Sequence, residues 1–328
     1  MQRDCVPACS DSTANSSAPS ARIYLRAILK RNPPVFPGFE RRRFDADDGI
    51  TINGVVGGSG PPLLLSHGHP QTHVMWHKIA PRLAKRFTVV MTDLRGYGDS
   101  SRPAGAADHG NYAKRAMAAD QVAVMRSLGF ERFKVCGHDR GARVSHRLAV
   151  DHPDRVEKLV LLDISPTLAM YEQTTTLLAT LYFHWFFLIQ PHPLPETMIG
   201  ADADFYYKSV MGGRWAGLGV FAPEALAEYS RCWNRPETIH AMCEDYRAAA
   251  SIDLEHDRAD RDAGKKIRCP LLVLWGANGV IEKCFRPLDD WARVAADVQS
   301  HSAPSGHYIP EEIPELLAGE LEAHFGSA

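Results

Sequence analysis

Residues 134–143 read Lys-Val-Cys-Gly-His-Asp-Arg-Gly-Ala-Arg, setting a carboxylate, an imidazole and two guanidiniums side by side. The pattern is an apolar strand, a sharp turn and then a helix. Gly137 and Gly141 flank Asp139 at the spacing of a G-x-S-x-G nucleophile elbow, with aspartate where that motif has serine. Glycines suit a strained, closely packed turn. Such a turn lifts its central side chain above the strand ends. A carboxylate there is ionised at neutral pH and attacks carbon without a base to activate it. The competing reading is that Asp139 only caps the helix that follows.

Partners for Asp139 occur further along. His307, in Ser305-Gly306-His307-Tyr308, lies after the last strand region and before the closing helix. That is the place a catalytic histidine takes in a fold of this kind; the alternative is a surface loop histidine. Asp163 follows the apolar run 159–162, and a carboxylate at the C-terminal edge of a strand is well placed to orient that histidine. Trp275-Gly276-Ala277-Asn278-Gly279, after a later strand, carries no carboxylate, which favours Asp163 by elimination. No G-x-S-x-G occurs anywhere in the chain.

Positioning these groups requires strands that end together. Short apolar runs predict strands over residues 40–44, 50–56, 63–65, 88–91, 133–136, 158–162 and 270–275, with a loop over 57–62. Helical periodicity covers 111–128, 141–150 and 310–325. The alternation implies an α/β fold with a mostly parallel sheet covered by helices on both faces. It stops between Pro166 and about Arg261, where aromatics, prolines and helical patterns continue without a strand. We therefore expect a core domain of residues 36–166 and 262–328 with a helical cap, 167–261, inserted into it. Residues 1–35 are expected to be a disordered extension.

At 328 residues the chain is long enough for a large core plus an inserted subdomain. A formal net charge of -2 supplies no overall positive field for phosphates, so nucleic acid is not expected as a partner. The seven cysteines are odd in number, scattered and without a C-x-x-C pair. That pattern points to reduced thiols in a cytoplasm rather than to a disulfide framework or a zinc site. The most apolar stretch, 177–189, is shorter than the roughly 20 residues a bilayer span needs. Residues 1–21 lack the apolar block of a signal peptide. No membrane association is expected.

The motifs resemble the α/β-hydrolase superfamily of haloalkane dehalogenases and epoxide hydrolases, and within it the haloacetate dehalogenases that act on fluoroacetate. The resemblance runs from Phe36 to about Phe325. It is carried by His67-Gly68-His69-Pro70-Gln71-Thr72, by Asp93-Leu94-Arg95-Gly96-Tyr97-Gly98, by the stretch from Gly137 to Arg143, and by His184-Trp185. The first two mark the superfamily; the His-Asp-Arg-Gly-Ala-Arg stretch with a later His-Trp pair is more specific. Relatives with neutral substrates usually have tryptophan after the nucleophile. Here that residue is Arg140, with Arg143 one helical turn further on. Two guanidiniums there would hold a substrate carboxylate by charge-assisted bonds and offset its repulsion from Asp139. The alternative is that Arg143 pairs with a cap carboxylate and only ties the domains together.

The resemblance assigns His184, Trp185 and a cap tyrosine to the halide pocket. Tyr246 matches best, with Tyr206, Tyr207 and Tyr229 as rivals. By periodicity alone His184 and Trp185 are buried helix residues. The resemblance also implies that the backbone N–H groups of residue 69 and Arg140 stabilise the oxyanion of an ester intermediate. The family usually has an aromatic residue at that position, and this chain has His69. The implied reaction converts fluoroacetate to glycolate and fluoride through an ester on Asp139, which water activated by His307 then hydrolyses. It needs no metal and no cofactor, and its partner is a small haloacid; a homodimer is left open. Two other readings stand beside it. One is an epoxide hydrolase or haloalkane dehalogenase with the same triad. The other is a hydrolase-fold ligand receptor, which would be expected to lose triad members.

Overall fold

In a computed structural model describing residues 36–326, the seven expected strands form and an eighth joins them. The expected disordered extension, 1–35, lies outside the described residues. The strands are β1 (Glu40–Asp45), β2 (Thr51–Gly58), β3 (Pro62–Ser66), β4 (Thr88–Thr92), β5 (Phe133–His138), β6 (Val156–Leu162), β7 (Leu271–Gly276) and β8 (Val298–Ala303). They form one sheet in the order β1-β2-β4-β3-β5-β6-β7-β8. β2 pairs antiparallel with both β1 and β4, and every other pairing is parallel. Parallel neighbours need long crossovers. Helix Lys114–Ser127 lies between β4 and β5, and helix Arg140–Asp151 between β5 and β6. The α/β fold class is therefore as expected.

The central strands are buried on both faces. Leu63, Leu64, Leu65, Val89, Val90 and Leu159 to Leu162 have no exposed surface, which is why they read as unbroken apolar runs. Each such side chain contributes about 1.5–3 kcal/mol by leaving water.

Departures from expectation fall where that signal is weak. β8, Val-Gln-Ser-His-Ser-Ala, is an edge strand paired only to β7, and most of its side chains are at least partly exposed. Its polar face hides the strand pattern, and no strand was expected there. The expected helix 310–325 is two helices, Ile309–Glu312 and Pro314–Gly326. Ile313 between them leaves helical geometry at φ -135°, ψ 53°, because the ring of a following proline disfavours it. The expected helix 111–128 starts only at Lys114, after a 3-10 turn at Gly110–Tyr112.

Between β6 and β7 the described residues form helices and no strand, from Thr167–Glu172 to Ile252–Asp262. This helical stretch packs on the loops that leave the strand ends. Arg102 Nε donates to Thr238 Oγ1 at 2.7 Å, Lys78 Nζ to the Val220 carbonyl at 2.6 Å, and the Tyr229 hydroxyl to Glu311 Oε1 at 2.8 Å. One continuous cluster of buried apolar side chains runs through both the sheet and these helices. No helix among the described residues is long and apolar enough to cross a membrane.

Candidate functional site

β5 ends at His138, and the next residue turns the chain into helix Arg140–Asp151. That residue, Asp139, sits at φ 48°, ψ -113°. A non-glycine residue there costs on the order of 1–3 kcal/mol, so the surroundings must enforce it. They do so by close packing. A side chain at Gly137 would run into the Gly141 carbonyl and Ser145, and one at Gly141 into the His67 carbonyl. The Asp139 side chain makes no capping bond to the helix. Its Oδ1 instead accepts the backbone N–H of His69 at 2.9 Å. Burial alone would raise the Asp139 carboxyl, but His307 and His138 in their protonated forms, with Arg140 and Arg143, hold it well below the usual carboxylate range. The group is an ionised carboxylate in a nearly dry setting.

β6 ends in a second strained aspartate. Asp163 lies at φ 53°, with its N–H on the Leu274 carbonyl at 2.8 Å. Its Oδ1 accepts the Gly276 N–H at 2.9 Å, and its Oδ2 accepts His307 Nδ1–H at 2.6 Å. With Nδ1 donating, Nε2 of His307 is left as the acceptor that a base requires. His138 Nε2 donates to the His307 carbonyl at 2.7 Å, and the two imidazoles lie 4.8 Å apart. Burial pushes His138 down to about 4, so this ring is neutral. The structure thus brings Asp139, His307 and Asp163 together from the ends of β5 and β6 and the loop after β8.

The two arginines differ. Arg140 is fully buried, and its Nε and Nη2 bond Asp245 Oδ2 and Oδ1 at 2.9 and 2.8 Å. Asp245, in helix Pro236–Ala249, also receives Lys114 and the Tyr97 hydroxyl. The carboxylate of the helical stretch therefore meets Arg140, whereas the sequence raised that arrangement for Arg143. Only Nη1 of Arg140 is without a partner. Arg143 is also buried but has no acidic partner among the described residues. Its Nη1 bonds the Ser165 carbonyl and Thr167 Oγ1 at 3.2 and 2.9 Å, its Nη2 meets Met170 Sδ, and its Nε bonds nothing. Its guanidinium lies 4.6 Å from the centre of the Trp185 ring.

The helical stretch contributes a set of buried polar atoms without partners. His184 Nδ1, Trp185 Nε1 and the Tyr246 hydroxyl bond nothing in the protein. Tyr246 lies 5.9 Å from His184 and 6.3 Å from Trp185, ring centre to ring centre, and under Arg140 at 4.1 Å. Among its rivals, the Tyr229 hydroxyl is spent on Glu311 and Gln71. Tyr206 packs on Phe183, Phe187 and Tyr207. Tyr207 lies against His69 at 5.6 Å.

Sequence reasoning missed two residues. The Tyr182 ring lies 5.1 Å from His184 and 6.3 Å from His307, and its buried hydroxyl has no partner. Arg214 stacks on Tyr182 at 4.5 Å, with no acidic partner among the described residues. Tyr182 had a local signal in its position beside His184. An arginine in a Gly-Gly-Arg-Trp turn had none, because such a residue usually faces water.

Among the described residues one trio of side chains has metal-ligating spacing: His192, Glu196 and His240. Arg247 grips both Glu196 oxygens at 2.7 and 3.1 Å, so that carboxylate is already committed to a cation.

An alpha/beta hydrolase fold family profile matches residues 61–312. A fluoroacetate dehalogenase from Burkholderia sp is 50% identical over 296 residues, covering 90% of this chain and 96% of that protein. A soluble epoxide hydrolase from Corynebacterium sp. (strain C12) is 32% identical, covering 82% and 92%. A crystal structure of an alpha/beta hydrolase from Nostoc sp PCC 7120 superposes with a TM-score of 0.86 at 56% identity, covering 88% of this chain and 99% of that one.

Proposed function

The chain belongs to the alpha/beta hydrolase fold family, and on that premise we propose that it hydrolyses carbon–halide bonds in haloacetates, turning fluoroacetate into glycolate and fluoride. The observation that carries the reading is an ionised Asp139 beside a buried guanidinium, Arg143, that lacks an acidic partner. A buried guanidinium that no carboxylate bonds is costly, and a substrate carboxylate would supply the bonded partner. The relation to the Burkholderia dehalogenase supports the same substrate class.

In the reaction the free oxygen of Asp139 attacks the α-carbon. A C–O bond forms as the C–halogen bond breaks, and the halide leaves with the electron pair. Arg143, with Nη1 of Arg140, holds the carboxylate. His184, Trp185 and Tyr246, whose polar atoms lack protein partners, receive the halide. We read the helical stretch 167–261 as the cap that carries these donors. The product is a glycolyl ester on Asp139. His307 Nε2 then takes a proton from water while the water oxygen attacks the ester carbonyl carbon. The His69 N–H, already on Asp139 Oδ1, and the Arg140 N–H stabilise the oxyanion. Collapse breaks the bond between the carbonyl carbon and the glycolyl oxygen, His307 gives its proton to that oxygen, and glycolate leaves; the Asp139 carboxyl, now carrying one oxygen from water, loses its remaining proton to solvent.

The test is a single turnover on fluoroacetate in oxygen-18 water. Fluoride release with label in the Asp139 side chain is expected. Label confined to glycolate would mean direct attack by water and would end this reading. An epoxide hydrolase reading draws on the free hydroxyls of Tyr182 and Tyr246, which could protonate an epoxide oxygen. It leaves Arg143 without a bonded carboxylate, and turnover of an uncharged epoxide in preference to haloacetates would favour it.

A further inference from the structure

The imidazole of His69 has no role in the scheme above, yet its position is unusual. Its backbone N–H holds the nucleophile, so the ring is anchored one residue from the reacting carboxylate. The ring is buried and surrounded by other rings: Tyr246 at 5.2 Å and Tyr207 at 5.6 Å edge-on, Tyr97 at 6.3 Å, and His184 parallel to it at 6.3 Å. Neither ring nitrogen has a hydrogen-bond partner. Two of the neighbours, His184 and Tyr246, are proposed halide donors whose polar atoms are equally unpartnered. A phenyl ring would fill the same space without burying two unsatisfied nitrogens. The polar ring has a use if a hydrogen-bond acceptor enters the space it shares with His184 and Tyr246.

We propose that His69 is a specificity-determining residue for the leaving halide, its ring N–H adding a donor to those of His184, Trp185 and Tyr246 and favouring fluoride over larger halides. The inference rests on the dehalogenase reading of the site. Burial lowers the His69 imidazole to about 3, outweighing the attraction of Asp139. The ring is then neutral at working pH, with one N–H to donate, and adds no charge that would stabilise Asp139 against attack. Fluoride is the smallest halide and the strongest hydrogen-bond acceptor, so an added donor helps it most. The C–F bond breaks with its electron pair on fluorine. The proton stays on the His69 ring throughout, so no further reactant is needed.

The experiment compares the unmodified protein with His69→Phe, His69→Asn and His69→Gln. The last two place an amide N–H near the Nδ1 and Nε2 positions respectively. Halide release is measured from fluoroacetate and from chloroacetate, and binding of fluoride and chloride by tryptophan fluorescence. We expect His69→Phe to lose about 10- to 100-fold in turnover of fluoroacetate, the worth of one hydrogen bond to a charged group. Chloroacetate turnover should fall by a clearly smaller factor, so that the ratio of fluoroacetate to chloroacetate turnover drops by about fivefold or more. Fluoride binding should weaken more than chloride binding, and one of the two amide variants should recover most of the loss. Should His69→Phe fail to fold, His69→Met takes its place. An equal loss on both substrates, or no loss, overturns the proposal and leaves His69 as packing. If the unmodified protein releases halide from neither substrate, the dehalogenase reading fails instead. The fluoride and chloride titrations of unmodified and His69→Phe protein then decide the role of His69 on their own.

Discussion

Asp139 and Asp163 sit at positive φ at the ends of β5 and β6, with backbone N–H groups on their carboxylates. Across from them, His184, Trp185 and Tyr246 lie within helices Phe183–Phe187 and Pro236–Ala249, and His184 Nδ1, Trp185 Nε1 and the Tyr246 hydroxyl have no hydrogen-bond partner in the protein. The strand ends hold their groups by strained main chain and satisfied hydrogen bonds. The helical stretch offers groups left open for an occupant. Strain and satisfaction suit residues whose geometry is the same in every cycle. Unsatisfied donors suit a surface that must exchange solvent for substrate and product. In the reaction proposed above, the difference separates what reacts from what is recognised.

The largest effects are expected on the strand side. Asp139→Asn keeps an oxygen for the His69 N–H but removes the proposed nucleophile, so turnover should fall by about 10⁴-fold or more. Fluoride release is the measurement, and residual activity above a hundredth would place the nucleophile elsewhere. His307→Asn should remove hydrolysis and spare alkylation. One equivalent of halide should appear, with a stable adduct of glycolyl mass on Asp139. Unmodified protein after incubation would break the division of labour assigned to the two residues.

The two arginines test the comparison where its halves meet. Arg140→Leu removes the two-pronged partner of buried Asp245, which keeps only Lys114 and the Tyr97 hydroxyl, and should cost about 3–5 kcal/mol of stability. Arg143→Leu removes a guanidinium that no carboxylate holds. It should leave the thermal midpoint nearly unchanged while losing on the order of 2–5 kcal/mol of transition-state stabilisation on haloacetate. Haloacetamide, which is neutral, should be much less affected. Equal losses on both substrates, or a collapsed midpoint for Arg143→Leu, would remove the distinction drawn between these residues.

The smallest effect is expected at a seam between the halves, where Tyr229 of the helical stretch donates to Glu311 beside Lys78. Burial raises the Glu311 carboxyl from 4.5 to about 7 despite Tyr229 and Lys78. A folded-state value above the unfolded one means the folded protein holds that proton to higher pH. Its contribution is then full below pH 4.5 and is lost as pH rises towards about 7. Glu311→Gln should flatten the thermal midpoint across that window, an effect on the order of 1–2 kcal/mol. An unaltered pH profile would show that Glu311 is ionised throughout.

Local pattern was enough to place the strands that build the sheet and the elbow at Asp139. Unbroken apolar runs mark strands buried on both faces, and paired glycines mark a turn with no room for side chains. The pairing of His307 with Asp163 was also legible, because chain order and the lack of a carboxylate after β7 left few choices. β8 was not legible, since an edge strand need not alternate. Neither was the exchange of roles between Arg140 and Arg143. Residue type placed both guanidiniums near Asp139, but which one meets a carboxylate depends on Asp245, more than a hundred residues away in sequence. The same holds for Arg214 on Tyr182 and for the unpartnered nitrogens of His69. Periodicity and turn chemistry act over a few residues and survive in the sequence. Whether a buried polar atom is satisfied depends on what other segments bring to it, and only the folded chain decides that.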